Sequence, residues 1–482
     1  MSLLLTEAVI LSLAGGIGGV AIAFLVRKAV ISLLPIGLSP EPLLNSLLLS
    51  FTFLLSMVAG VTSGLVPFFL STRLDLNVLL QQSGPGFVNP RTRGWIERAL
   101  VAAEVAVCLV LLTGAALMTR SFVKLTAIDL GFDSRGILTG EIWLPNSGAY
   151  GKERQVSFFK EVLQRVGSTP GVQAVGITSH LPLTMFNELG AFHDENMKSL
   201  HLPRPVSVCA VSSDYFSVMK IPLLKGRLLR QEDFESSAPV ALINVSLDRL
   251  AYGGTSSLGH HIALGHTADA SFTIVGVVGD VRNLALEKDT WPEVYVPYWQ
   301  DPSSVMTIAV RPKSDRLKLA NSIEQEIRNV DRNQPLASVE TMDDRISEAA
   351  FSRRIRMILA NLFAFVPLVL VSLGIYGIVA RVISSRTREI GIRIALGAGS
   401  FEVAKMIAAS VLLPTGLGVF MGICASLGVS RFVRSYLFGV SNYDVFSFFS
   451  AAALIFAVAA FACYTAARRV RAIDPAQALH HG

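Results

Sequence analysis

Six stretches of this chain stay apolar long enough to cross a bilayer, and that constrains the fold before any motif is considered. A spanning helix needs about 20 apolar residues. Segments 8–31, 45–70, 98–119, 357–380, 406–429 and 445–467 meet that length. The fourth, fifth and sixth hold uninterrupted uncharged runs, whereas the third carries Glu104. Only 16% of the 482 residues are charged, against about a quarter in an ordinary soluble protein. The pattern predicts an integral membrane α-helical protein of about six transmembrane helices, with one large extracytoplasmic α+β domain inserted after the third. No basic region precedes the first run, and Glu7 interrupts it, so it reads as a signal-anchor-like helix.

Short-loop basic residues set the expected orientation. Arg73, Arg91, Arg93, Arg98, Arg381, Arg386, Arg388, Arg393, Lys405, Arg468, Arg469 and Arg471 fall on one side; Arg27, Lys28, Arg431 and Arg434 fall on the other. That imbalance puts both termini in the cytoplasm and residues 120–353 outside it, in a multi-pass protein of the plasma (inner) membrane. The net charge of +6 is then a membrane-interface feature, and no nucleic acid is expected as a partner. Cys108, Cys424 and Cys463 lie in apolar runs, which leaves Cys209 alone in the insert and no disulfide framework.

Within the insert, helical periodicity is expected around Gln155–Val166 and Leu317–Val330. Strands are expected at Gly136–Trp143, Val172–Ser179, Ala238–Asn244, Phe272–Val278 and Met306–Val310. Turn chemistry at Pro170-Gly171, Gly253-Gly254 and Pro312 separates them. The insert is long enough to bury its own core, in one or two subdomains. The expected domains are 1–97, a partial unit of two spans and a cytoplasmic loop; 98–119, one span; 120–353, the extracytoplasmic domain; and 354–482, three spans with a charged segment and tail.

The terminal pairs of spans resemble each other. Gly15-x-x-x-Gly19 parallels Gly418-x-x-x-Gly422, with Lys28, Ser32 and Leu34 parallel to Arg431, Ser435 and Leu437. Leu74-Asp75 and Leu80 parallel Ile473-Asp474 and Leu479. The glycine pairs permit close helix approach, between the two halves or within each unit. Glu104 reads either as a carboxylate at the interface facing water, as a partner of a nearby arginine such as Arg98, or as an intramembrane group that transmits motion. His260, His261 and His266 lack neighbouring cysteines or spaced carboxylates and read as an exposed loop, not a metal set. Gly276–Asp280 reads as a strand end. No P-loop, G-x-S-x-G or H-E-x-x-H pattern occurs, so the chain is not read as an enzyme and no cofactor, metal or catalytic residue is expected.

Between the fourth and fifth spans lies Arg386-Thr-Arg-Glu-Ile-Gly-Ile-Arg-Ile-Ala-Leu-Gly-Ala398. Helical spacing would set Ile390 and Ile394 on one face, with Arg386, Arg388, Glu389 and Arg393 open to headgroups or to a partner. This segment, with Ile473-Asp474-Pro475, Gly131-Phe132-Asp133, Pro170-Gly171-Val172, Asp214-Tyr215-Phe216, Gly226-Arg227, Val275–Asp280 and Pro292–Pro297, resembles the MacB/FtsX-like ABC transporter permeases. The resemblance is to their duplicated, ADOP-type branch, with the leading span, ectodomain and charged segment of the first half missing, whether by truncation or by a start assigned downstream. It implies a MacB-type periplasmic core domain over 120–353. It also implies a permease subunit that couples ATP hydrolysis on a separate ATPase dimer to ectodomain movement, for efflux or other mechanical work. Arg386, Arg388, Glu389, Ile390, Arg393 and Ile394 would then contact the ATPase. A dimer or pseudo-dimer of permease units, membrane lipid and a periplasmic partner are the other implied associations. A membrane-anchored scaffold or regulator without transport, or a non-functional remnant, remain as alternative readings.

Overall fold

A backbone that crosses lipid must satisfy its own hydrogen bonds, which a helix does within one segment. The computed structural model has helices wherever it describes the apolar runs. The described residues are 2–31, 50–58, 61, 90–145, 151–184, 188–194, 202, 205–235, 238–253, 255–264, 271–287, 289–313, 316–334, 336–385, 400–433, 436–441 and 443–470. The chain divides into two compact units, Met1–Arg120 with Ile355–Gly482, and Ser121–Arg354. It passes from one unit to the other twice, each time inside a helix.

The first unit begins with α1 (Ser2–Ile31) and a helical stretch over 50–58, then α2 (Pro90–Thr126). The second unit follows with β1 (Leu138–Trp143), α3 (Lys152–Ser168), β2 (Val172–Thr178), β3 (Glu188–Gly190), β4 (Phe192–Asp194) and β5 (Val206–Val211). It continues through α4 (Tyr215–Met219), β6 (Leu223–Gly226), α5 (Glu232–Glu235), β7 (Val240–Asn244), α6 (Val245–Tyr252), β8 (His261–Leu264) and β9 (Ser271–Val278). β10 (Glu293–Pro297), β11 (Val305–Pro312), α7 (Arg316–Val330) and β12 (Leu336–Thr341) complete it. α8 (Met342–Ser385) returns to the first unit, where α9 (Ser400–Val433) and α10 (Val445–Val470) close the description.

Among the described residues, four helical segments are long and apolar enough to span a membrane: Glu97–Thr126, Met342–Ser384, Ala408–Phe432 and Val445–Thr465. The apolar part of α1 that qualifies by composition is shorter, Ser12–Leu25. Most of the expected second span, 45–70, lies outside the described residues.

The expected α+β insert is a mixed sheet of 12 strands in the order β12-β1-β11-β2-β5-β10-β7-β9-β8-β4, with β3 on β5 and β6 on β9. The two expected helices are α3 and α7, and all five expected strands occur within a few residues of their forecast ends. Sequence alone missed β3, β4, β5, β6, β8, β10 and β12, and for the central pair β5 and β10 the reason is physical. Every residue of Val206–Val211 and Glu293–Pro297 is buried, so neither strand shows the polar alternation that marks a half-exposed one. Side chains still alternate between two cores. Val208, Val294 and Val296 join Phe158, Phe159 and Val162 of α3 on one face. Cys209 and Tyr295 join Tyr215, Phe216 and Met219 of α4 on the other.

The sheet is narrowest at its middle. β2 and β5 share one ladder pair, Thr178↔Val211, extended by Ser179 N–H to the Ala210 carbonyl at 2.8 Å and Ser212 N–H to the Ile177 carbonyl at 3.0 Å. The single sheet therefore joins its two groups of strands through a short seam.

Several of the quoted motifs are joints of this sheet. Gly226 has φ +73, and a Cβ there would lie 2.3 Å from the Val275 carbonyl oxygen; a Cβ on Gly276 would lie 2.3 Å from the Arg227 carbonyl oxygen. The two backbones meet so closely that only glycine fits at either position. Arg227 then reaches Asp233 through two bonds of 2.8 and 2.7 Å. Asp133 receives Arg135 at 2.9 Å and Lys220 at 2.8 Å, while buried Arg311 donates to the carbonyls of Asp133 and Val218, each at 2.8 Å.

Two outcomes follow for the core domain. Gly276→Ala should destabilise it by about 1–3 kcal/mol through forced backbone separation, read as a lower unfolding midpoint of the purified chain. Hydrogen bonds from the Arg135 and Lys220 side chains hold the Asp133 carboxyl below the usual range. That contribution is present above the unfolded-state value of about 4 and is lost as pH falls through it towards the folded value. Acid titration of the wild type should therefore show a stability loss below about pH 4 that Asp133→Asn reduces.

Candidate functional site

In the membrane unit the chemistry lies at helix contacts. Val101, Val105, Cys108 and Leu109 of α2 pack with Val371, Ile375 and Val379 of α8, Val411 and Val419 of α9, and Ile455 and Ala459 of α10. A Cβ on Gly418 would lie 2.5 Å from the Ala102 carbonyl oxygen and 2.7 Å from Cβ of Val105; one on Gly422 would lie 2.9 Å from Leu109. The second glycine pair thus lets α9 lie directly on α2. Among the described residues the first pair has no such neighbour: a Cβ on Gly15 or Gly19 would meet none of them within 4 Å, and Gly16 approaches Ser56 instead.

Glu104 faces α8. Its Oε2 lies where a Cβ on Gly374 would come within 2.8 Å, and that oxygen is buried without a hydrogen-bond partner among the described residues. Arg98 is exposed. Pro367 of α8 and Pro414 of α9 each remove one intrahelical hydrogen bond, a place where a helix can bend. Charged pairs mark the two ends of α2: Glu97 pairs with Arg381 of α8, and Arg120 pairs with Asp444. Asp444 also caps α10 by accepting from the Ser447 N–H at 3.0 Å. The rise from Glu97 to Arg120 is about 35 Å at helical pitch, which suits a hydrocarbon core of about 30 Å between the two charged layers.

Segment 386–398, with Arg386, Arg388, Glu389, Ile390, Arg393 and Ile394, lies outside the described residues, as does the tail from 471. α8 ends at Ser385 and α9 begins at Ser400, so the segment is the connection between them.

In the core domain, three elements converge on a buried polar cluster that sequence reasoning did not find. His180 follows β2, Cys209 lies in β5 and Glu293 opens β10. β5 and β10 run parallel with Glu293↔Ser207 and Tyr295↔Cys209 in register, which puts Cys209 and Glu293 on one face. Nε2 of His180 is 3.6 Å from Oε1 of Glu293. Burial favours the neutral imidazole, but the Cys209 sulfur and Glu293 carboxylate outweigh it and push the ring up to about 10. Cys209 as the insert's only cysteine and Glu293 within Pro292–Pro297 were legible signals; nothing local marked His180 as their neighbour.

Of the histidines expected in an exposed loop, one departs from that expectation. His260 is half-buried, with Nδ1 2.9 Å from Asp194 and its ring against Tyr252, while exposed His261 opens β8. His266 lies outside the described residues.

Comparison with known proteins adds the following. The MacB-like periplasmic core domain family matches residues 50–326, and the FtsX-like permease C-terminal family matches residues 361–475. The probable export ATP-binding/permease protein MacB of Pseudomonas entomophila is 27% identical over 288 residues, 57% of this chain and 42% of the relative. The macrolide export ATP-binding/permease protein MacB of Wolinella succinogenes is 26% identical over 302 residues, 59% of this chain and 46% of the relative. The match spans less than half the length of these relatives. Two solved structures are similar. The periplasmic region of MacB from Actinobacillus actinomycetemcomitans has a TM-score of 0.32 at 15% identity, over 46% of this chain and 95% of that one. The extracellular domain of the noncanonic ABC-type transporter YknZ from Gram-positive bacteria has a TM-score of 0.29 at 16% identity, over 42% of this chain and 100% of that one.

The glycine contacts make a direct prediction. Gly418→Leu should separate α9 from α2 at a cost of about 1–3 kcal/mol, lowering the unfolding midpoint in detergent. Gly416→Leu, at a position where a Cβ meets nothing within 4 Å, should leave the midpoint unchanged.

Proposed function

This chain belongs to the MacB/FtsX family of ABC transporter permeases, and from that premise we propose that it couples ATP hydrolysis on a separate ATPase to movement of its periplasmic-type core domain. One observation carries the reading. α8 is a 44-residue helix that starts at Met342, in the unit of the core domain, and ends at Ser385, immediately before Arg386. Its backbone hydrogen bonds resist a change of length along the axis on either side of Pro367, where the helix can bend. A push on the charged segment is therefore carried along α8, and α2 offers a second helical connection.

In this scheme segment 386–398 faces the cytoplasm and docks on an ATPase dimer. Ile390 and Ile394 enter a groove of the partner, while Arg386, Arg388, Glu389 and Arg393 make charged contacts around it. Cytoplasmic placement of both termini follows the basic-residue imbalance between the loops. Glu104 is a group that responds to the motion, because its buried oxygen lies on the α2–α8 contact that would shift. Export is the role named for the relatives, and efflux by mechanical movement of the core domain is the corresponding role here. The parallel between Gly15/Gly19 and Gly418/Gly422 supports assignment to the duplicated branch, in which two permease units form a pseudo-dimer.

Reversing charge at the docking segment tests the reading. Arg388→Glu with Glu389→Arg should cut co-purification of the ATPase by at least about tenfold, a loss of about 1.4 kcal/mol or more, without altering chain expression or unfolding. Unchanged recovery of the ATPase would contradict docking through this segment.

A further inference from the structure

We propose that His180, Cys209 and Glu293 bind one divalent ion of the zinc class at the seam between the two halves of the core-domain sheet. This goes beyond the permease reading and does not depend on it.

The geometry is close to what an ion requires. All three side chains are buried and their ligand atoms lie within 4.8 Å of one another. Nitrogen and oxygen ligands about 2.0–2.1 Å from a tetrahedral zinc stand about 3.4 Å apart. The His180–Glu293 edge already measures 3.6 Å. A thiolate binds slightly farther out, so the Cys209 sulfur has at most about 1 Å to close.

The outer atoms of His180 and Glu293 are tied, and the Cys209 sulfur meets the Thr178 hydroxyl at 3.0 Å. Nδ1 of His180 meets the Ser179 hydroxyl at 3.0 Å. Oε2 of Glu293 accepts from Asn283 Nδ2 and from the Tyr295 hydroxyl, each at 2.5 Å. Metal-binding histidines and carboxylates are oriented in this way by partners on their far sides. On the near side, Nε2 of His180 has no hydrogen-bond partner among the described residues, although the residue is only 9% exposed. Oε1 of Glu293 takes only a 3.4 Å contact from the Ser207 hydroxyl besides the ring nitrogen. A closed His–Glu hydrogen bond would need a shorter distance.

The donor set selects the ion. Thiolate, imidazole and one carboxylate suit zinc, whereas magnesium and calcium take shells of oxygen. Binding displaces the thiol proton of Cys209 and the Nε2 proton of the His180 imidazolium to solvent, and a water completes four-coordination. The ion would tie the end of β2 to β5 and β10, where β2 and β5 share their single ladder pair.

The test uses the full chain in detergent, stripped with a chelator and titrated with zinc, and separately with cobalt as a spectroscopic stand-in. Wild type should bind one zinc per chain, and the cobalt form should show a thiolate-to-cobalt charge-transfer band with tetrahedral visible bands. Zinc, and not magnesium, should raise its unfolding midpoint. Cys209→Ser should lose the charge-transfer band, and His180→Gln should weaken zinc binding by at least about tenfold. Substoichiometric zinc binding by folded wild type, or a cobalt spectrum without the thiolate band, would overturn the site and leave a metal-free His180–Glu293 ion pair. The wild-type spectrum decides the matter even if a variant does not fold.

Discussion

Lipid gives a peptide backbone no hydrogen-bonding partner, and this chain has to leave the apolar environment and return to it around a domain of 234 residues. Both transitions occur inside helices, α2 and α8, which satisfy their backbone groups within one segment apart from the bond removed at Pro367. The same requirement moves charge to the helix ends, where Glu97 meets Arg381 and Arg120 meets Asp444. Between those layers most contacts are apolar or glycine-mediated, with Gly418 and Gly422 of α9 against α2, while Asn361 of α8 donates to the Thr119 hydroxyl of α2 at 2.9 Å. Glu104 is the ionisable group among them, a buried carboxyl oxygen held against Gly374. Such a group is costly in an apolar bundle, which is why it is assigned to the motion and not to the static packing.

The core domain solves a different problem. A sheet with helices on both faces buries its central strands completely, and the motif residues are the points where backbones must interlock to permit it. Gly226 and Gly276 meet backbone to backbone, and Arg311 closes the turn at Asp133 by donating to two carbonyls. Such contacts leave little freedom within each half of the sheet. The β2–β5 seam is the narrowest joint of the sheet, and the His180–Cys209–Glu293 cluster lies on it.

How much of this was legible in sequence depends on the signal each element carries. Apolar runs of spanning length gave the described membrane helices, because length and composition are all that lipid demands. β2, β7, β9 and β11 were found because apolar residues run between clear turn signals. β5 and β10 were missed because two-sided burial erases alternation, although Pro292–Pro297 was conspicuous as a motif. The buried cluster could not be read, since its members come from three elements brought together only by strand order. His260 was misjudged for the same reason: its partner Asp194 lies on a distant strand. The α9–α2 glycine contact was half legible, as the spacing showed a close approach but not against which helix.

The central claim is that ATP on a partner moves the core domain through α8. It is tested most directly by spin-label distance measurement between core domains of assembled permease units, labelled at exposed Ser168 at the end of α3 after Ser168→Cys. In complex with the ATPase, the account predicts a distance distribution that shifts between the nucleotide-free and ATP-bound states, and that stops shifting when Arg388 and Glu389 exchange charge. An unchanged distribution in the two nucleotide states, with ATPase bound and active, would contradict it.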